Sequence, residues 1–191
     1  MSVLDEAFWD DYTDRQAETD PSPTLRQILR PYLPHIRSVL EVGCNRGDNL
    51  GCFPEAEVEG VEPNEHARLQ AQARGFTVLD AIAQDLPYPD EWFDLVFTAG
   101  VLIHIPPPEF DKALAEIHRV SARYVLAVEY HADKPTPVTY RGVPEGIWKR
   151  YYAAEYMDRF PLDIIGVGDQ DSLAGTPFDG SSWVLLSKSG R

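Results

Sequence analysis

Cysteine and methionine are scarce in this chain, two of each in 191 residues. That leaves no disulfide framework to hold the fold, and Cys44 and Cys52 read as reduced thiols beside one loop, with a redox pair as the alternative. Neither has a partner set at zinc-ligand spacing, so no metal is expected. Bases are also few, 17 against 31 acids, for a net charge of −14. A chain so acidic lacks the basic face that nucleic acid or an anionic membrane requires. No apolar run approaches the roughly 18 residues of a membrane span. The first residues lack the basic-plus-apolar pattern of a secretion signal. The expectation is a cytoplasmic protein whose partner is a small molecule, with its oligomeric state left open. What remains is ordinary for a globular domain: 43% hydrophobic and 25% charged residues, in a length that buries a good core.

Ser38 to Gly47, Ser-Val-Leu-Glu-Val-Gly-Cys-Asn-Arg-Gly, organises the chain. Val39, Leu40 and Val42 suit a strand covered on both faces. Gly43 and Gly47 mark a tight turn in which a ligand can lie against bare backbone. The plain alternative is a strand-to-helix turn with two structural glycines. A second strand, Ala56 to Pro63, ends in Glu62, an acid placed to accept both ribose hydroxyls of a nucleoside-containing cofactor. The loop Gly43-Cys44-Asn45-Arg46-Gly47 lacks the G-x-G-x-x-G cradle that a pyrophosphate demands, which disfavours a dinucleotide. The sequence resembles instead the E-x-G-x-x-x-G motif of class I S-adenosylmethionine-dependent methyltransferases, carried by Glu41, Gly43 and Gly47.

Asp85-Leu86-Pro87-Tyr88-Pro89-Asp90, followed by Phe93-Asp94-Leu95-Val96, resembles the same superfamily. Where that family often presents an Asp to adenine, this chain has Ile82, so the resemblance leaves the Ala83 N–H and the face of Ile82 as the adenine contacts. It implies a cofactor site of Tyr12, Arg15, Glu41, Gly43, Cys44, Asn45, Glu62, Pro63, Ile82, Ala83, Thr98, Ala99 and Gly100. The fold it implies is a Rossmann-like α/β class: seven strands, mostly parallel, with helices on both faces and an antiparallel terminal strand. Five strands come from β/α units (38–42, 56–63, 76–80, 92–98, 124–130) and two from the end (163–170, 183–187).

Segment 4–20 holds seven carboxylates and one base, Arg15. Phe8, Trp9, Tyr12 and Arg15 fall at helical spacing. They read either as an amphipathic helix on the core or as a lid, residues 1–23, whose Tyr12 and Arg15 meet the cofactor carboxylate. Thr24 is positioned to cap a helix from Leu25 to about Leu33, stopped by Pro34. His104 reads as a half-buried helix histidine or as a general base, and Glu129 at a strand tip as a second candidate base. Residues 134–150 reverse the local charge, with four bases against one acid. They form either a solvated face or part of a substrate-binding insert, 131–160, within a domain spanning 24–191. Its candidate contacts are Tyr130, Tyr140, Arg141, Trp148, Lys149 and Arg150, which suit an anionic acceptor.

Three stretches together, F-W-x-x-Y-x-x-R from Phe8, G-V-L-I-H-I from Gly100 and Y-R-G-x-x-x-x-x-W-K-R from Tyr140, resemble methylases associated with pseudaminic acid biosynthesis. That resemblance implies methylation of a small, acidic sugar or related metabolite. A non-catalytic S-adenosylmethionine-binding protein is the alternative.

Overall fold

In the computed structural model, residues 4–16 and 19–188 are described, and the remaining parts of the expected lid and domain segments (1–3, 17–18, 189–191) lie outside them. One seven-stranded sheet carries the fold. Its strands are β1 (Ser38–Val42), β2 (Glu57–Val61), β3 (Thr77–Leu79), β4 (Phe93–Ala99), β5 (Ser121–Glu129), β8 (Leu162–Gly168) and β9 (Ser182–Lys188), in the order β3-β2-β1-β4-β5-β9-β8. The first five pair in parallel, and β9 runs antiparallel between β5 and β8. The order reverses beside β1, and the crevice at such a switch point, outside the carboxyl ends of the strands, is where open α/β sheets bind ligands.

Alternation along each strand builds a core on either face. Leu40, Val42, Val96, Val125 and Val184 face α4 (Pro107–Val120) and α5 (Tyr152–Met157), while Val39, Leu95, Phe97, Leu126 and Leu185 face α2 (Ser22–Leu29). α4 buries Phe110, Ala113, Leu114, Ile117 and Val120, an i, i+3, i+4, i+7 stripe. Asn64 caps α3 (Glu65–Ala73) by accepting from the Ala67 N–H, and Gly75 follows at φ +93°.

Two expectations need correction. Thr24 caps nothing: α2 begins at Ser22, with Pro23 in the first turn, where its missing N–H costs no intrahelical bond. The helix stops at Leu29, ahead of Pro31, which has no N–H to continue the ladder, and Leu33–His35, which contains Pro34, forms a separate 3₁₀ turn. The insert, read from sequence without strands, contains a hairpin of β6 (Thr136–Tyr140) and β7 (Val143–Lys149). Its two-residue turn puts Arg141 at φ 48° and Gly142 at φ 85°, the left-handed pair that lets a hairpin close with the right twist.

Ahead of the sheet, α1 (Glu6–Arg15) is capped by Asp5, which accepts from the Phe8 N–H. It docks over the first loop and α3 through polar contacts. Asn45 Nδ2 donates to Thr13 Oγ1 at 3.0 Å, Asn64 Nδ2 to Asp10 Oδ1 at 2.8 Å, and Arg46 to the Gln16 carbonyl at 3.0 Å. His66 and Asp14 meet at 2.6 Å, which raises the imidazole's pKa and lowers the carboxyl's. A histidine raised in the folded state stabilises docking fully below its unfolded pKa of about 6.5 and loses that contribution as pH rises through its raised value. Fluorescence of Trp9, taken against a Trp9→Phe control, should report looser docking above neutrality, and His66→Ala should remove that dependence.

Candidate active site

The donor side is built where β1 and β2 end. Gly43 (φ +73°) leaves the strand, and a Cβ there would sit 2.6 Å from Val101 Cγ2. The glycine is therefore demanded by the turn after β4 as well as by any ligand. Cys44 fills the notch of Gly60, whose Cβ would lie 2.6 Å from the thiol sulfur. Both cysteines are free and buried, and burial pushes the thiol pKa up, that of Cys52 to about 11.

Glu62 lies across from this loop. Its Oε2 accepts from the Asn45 N–H at 2.8 Å and its Oε1 from the Asn64 N–H at 2.9 Å. Burial raises the carboxyl pKa, and those two N–H groups oppose the rise. Each oxygen keeps acceptor capacity for a second donor, which a ribose diol fits. Glu41 is buried, with Oε1 accepting from Asn49 Nδ2 at 2.6 Å and Oε2 without a partner among the described residues. Burial pushes the Glu41 carboxyl well above the usual carboxylate range, and its unpartnered oxygen can accept from a donor such as the ammonium of S-adenosylmethionine, whose positive charge would favour the ionised form. Ile82 stays 46% exposed beyond β3, an apolar surface beside buried Ala83. Thr98 is buried at the tip of β4, and a Cβ at Gly100 (φ +69°) would meet nothing within 4 Å. The donor set and the open tip therefore fit S-adenosylmethionine. Pro63 is exposed and lends its carbonyl to Arg68.

Arg15 does not join them. Its side chain is 73% exposed and pairs with Asp11 at 2.7 Å, because the phase of α1 turns it outward. Tyr12 goes to the β6–β7 hairpin instead. Arg141 places its guanidinium 5.0 Å from the Tyr12 ring, 5.6 Å from Tyr140 and 5.8 Å from Phe8. Such cation–aromatic contacts hold the hairpin tip to α1. Lys149 sits 5.5 Å from the Tyr130 ring. Burial, then the neighbouring Tyr140 and Tyr130 phenols, raise the Tyr12 pKa, so three hydroxyls share this region.

His104 stands between the two sides. Its ring meets Trp9 edge-on at 4.8 Å and Tyr140 at 5.7 Å. Nδ1 has no hydrogen-bond partner among the described residues, and burial lowers the imidazole to about 4. It is neutral at pH 7, and too weak a base to hold a proton there.

Two other expected site residues are turned inward. Glu129 is 1% exposed and accepts from the N–H groups of Val101, Leu102 and Ile103, so no face is left for an acceptor; burial pushes it up to about 7. Arg150 is also 1% exposed and donates to the Leu102 and Ile105 carbonyls. Neither is a base or an anion contact. Sequence spacing reveals charge and position along a strand but not which charges the core will enclose. Trp148 is half-buried, and its carbonyl accepts from the Tyr152 hydroxyl. A separate cavity of about 500 Å³, lined by His131, Tyr151, Asp169 and Trp183, opens at the β8–β9 end and contains none of the donor-side residues.

Residues 39–123 match the methyltransferase domain family. A probable methyltransferase of Aspergillus luteorubrus is 32% identical over 124 residues, which covers 56% of this chain and 42% of that protein. The chain spans about two fifths of the length of the curated relatives it matches. Among solved structures, the 1,6-didemethyltoxoflavin-N1-methyltransferase of Burkholderia thailandensis, with 1,6-didemethyltoxoflavin and S-adenosylhomocysteine bound, superposes with a TM-score of 0.69 at 17% identity, covering 93% of this chain and 81% of that one. Phosphoethanolamine N-methyltransferase 1 of Haemonchus contortus, in complex with phosphoethanolamine and S-adenosylhomocysteine, gives 0.68 at 16% identity, covering 97% and 49%. The stretch that matches the methyltransferase domain family thus runs from β1 into the start of β5 and takes in the Gly43–Gly47 loop and Glu62, and the fold as a whole is shared with these solved methyltransferases.

Proposed function

We propose that the protein transfers the methyl group of S-adenosylmethionine to a small metabolite bearing an anionic group, such as a sugar-acid derivative. The observation that carries this reading is Glu62, a buried carboxylate at the tip of β2 with acceptor capacity to spare, facing the glycine-bearing loop of a methyltransferase domain. Bound S-adenosylmethionine supplies a methyl group on a sulfonium, ready for in-line displacement. The chain's own residues bind and align. Glu62 takes the ribose hydroxyls, Glu41 faces the ammonium, Ile82 and Ala83 border the adenine, and Thr98, Ala99 and Gly100 leave room for the methionyl arm. α1 closes over the donor loop as a lid.

On the acceptor side, Arg141 and Lys149 hold the anionic group, with the Tyr12, Tyr130 and Tyr140 hydroxyls as further donors. The Haemonchus neighbour, named for phosphoethanolamine, offers a precedent for an anionic small molecule in this fold. His104, neutral in its aromatic enclosure, accepts a hydrogen bond from the acceptor's O–H or N–H and orients it, and the proton released on methylation passes to solvent. Alignment of this kind supplies up to about 7–11 kcal/mol in well-oriented systems.

Calorimetry with S-adenosylhomocysteine and with NAD tests the donor: binding of NAD alone overturns the reading. Methyl-labelled donor with a panel of sugar acids and phosphomonoesters then tests catalysis. Tight S-adenosylhomocysteine binding with no label transferred would make the protein a non-catalytic binder. With an acceptor from that panel, Arg141→Ala should raise its KM about tenfold, the lower end of what a charged hydrogen bond contributes. Donor affinity should hold, and the reverse pattern in steady-state kinetics would move the acceptor elsewhere.

A further inference from the structure

The short turn that leaves β4, Val101 to Ile105, is held at both ends by buried groups of opposite charge. At its leading end the Glu129 carboxylate accepts from the N–H groups of Val101 (3.1 Å), Leu102 (3.1 Å) and Ile103 (3.3 Å). At its trailing end Arg150 donates to the carbonyls of Leu102 (3.1 Å) and Ile105 (2.7 Å), its guanidinium lying 3.9 Å from the Phe110 ring centre. The two charges complement the turn, since a helical turn is positive at its N–H end and negative at its C=O end.

Burying two ionic side chains is expensive, and apolar residues of similar volume often serve a core as well or better. What Glu129 and Arg150 share is the turn itself. Its Val101 side chain packs against the bare Cα of Gly43, and its His104 ring enters the enclosure of Trp9 and Tyr140. Glu129 ends β5, whereas Arg150 directly follows β7, the strand whose hairpin carries Arg141 at its far tip. The turn is thus tied both to the sheet and to the acceptor hairpin.

We propose that Glu129 and Arg150 are positioning residues that hold His104 in its aromatic enclosure and fix the acceptor hairpin to the donor loop. This rests on the methyl-transfer reading of the site. It assigns the two residues a role through His104, distinct from contact with substrate or donor.

The test is an NMR titration of the ¹⁵N-labelled histidine rings in the full chain, with His104→Gln to assign the signal. In the wild type the His104 ring should stay neutral down to about pH 4. The titratable and charged groups around it are Tyr140 across the ring, Arg141 and Tyr12 beyond, and the Glu129–Arg150 pair behind the turn. Glu129→Gln keeps the shape, and because burial pushes Glu129 up to about 7 it is already uncharged where the ring titrates, so charge alone leaves the histidine's pKa in place. Arg150→Met loses a base, which by charge alone raises it. Loss of positioning exposes the ring and moves it upward in both, by one unit or more toward the ordinary value of about 6.5. Arg150→Lys keeps the charge without the two-pronged grip and should shift upward as well, which also serves if Arg150→Met does not fold. A ring that titrates as in the wild type in folded Glu129→Gln or Arg150→Lys overturns the proposal, as does a downward move in Glu129→Gln. Should wild-type protein fail to bind S-adenosylhomocysteine, the methyl-transfer reading falls while the ring titration still reports on positioning.

Discussion

Replacing Glu62 by alanine should lower affinity for S-adenosylhomocysteine by about a hundredfold. Two ribose hydroxyls would lose a charged acceptor, and hydrogen bonds to charged groups are each worth about 1.5–3 kcal/mol. Even the lower value for both, about 3 kcal/mol, corresponds to roughly two orders of magnitude. The same carboxylate also holds the Asn45 and Asn64 N–H groups, so its removal slackens the donor loop and the entry to α3 together. Glu62→Gln separates these effects. It retains one acceptor oxygen, yet presents an NH₂ to a backbone N–H, and should fall between wild type and alanine. Calorimetry on each variant, with thermal unfolding to confirm the fold, decides the matter. Unchanged affinity in folded Glu62→Ala would remove that residue from the donor site.

Alanine at Gly43 should be as damaging by a different route. The residue sits at φ +73°, where a side chain costs roughly 1–2 kcal/mol, and its Cβ would press to 2.6 Å from Val101 Cγ2. The turn after β4 must then give way, and it carries His104. Unfolding should drop by roughly 5 °C or more for a chain of this size, and S-adenosylhomocysteine affinity by over tenfold, equivalent to about 1.4 kcal/mol. Val101→Ala added to Gly43→Ala should return part of both losses, since contacting pairs couple. Absence of any rescue would mean that the glycine serves its dihedral alone.

The strands and turn around Gly43 were legible because their pattern is local: a strand, two glycines and an acid at the next strand tip lie in one stretch of chain. Ile82 lies beyond β3 as an exposed apolar side chain, a position that chain order alone fixes. The acceptor side depended on contacts between distant segments. Pro137 and Pro144 hid β6 and β7, because proline argues against a strand, although Arg141-Gly142 flanked by Tyr140 and Val143 was a hairpin signal. Tyr12 and Arg15 shared a predicted face, yet one turn of α1 sends Tyr12 to the hairpin and Arg15 to solvent. Arg150 and Glu129 looked like site charges because no periodicity distinguishes a charge lining a cleft from one enclosed behind it. Only the packing of Phe110 and the 101–105 turn around them makes that distinction.

The strand order bears on how the chain is made. β9 pairs with β5 on one side and with β8 on the other, and β8 has no second partner among the described residues. During synthesis the outer border of β5 therefore waits, with its backbone unpaired, for residues some sixty positions later to emerge. A nascent chain paused before β9 would expose two unpaired strand edges at once.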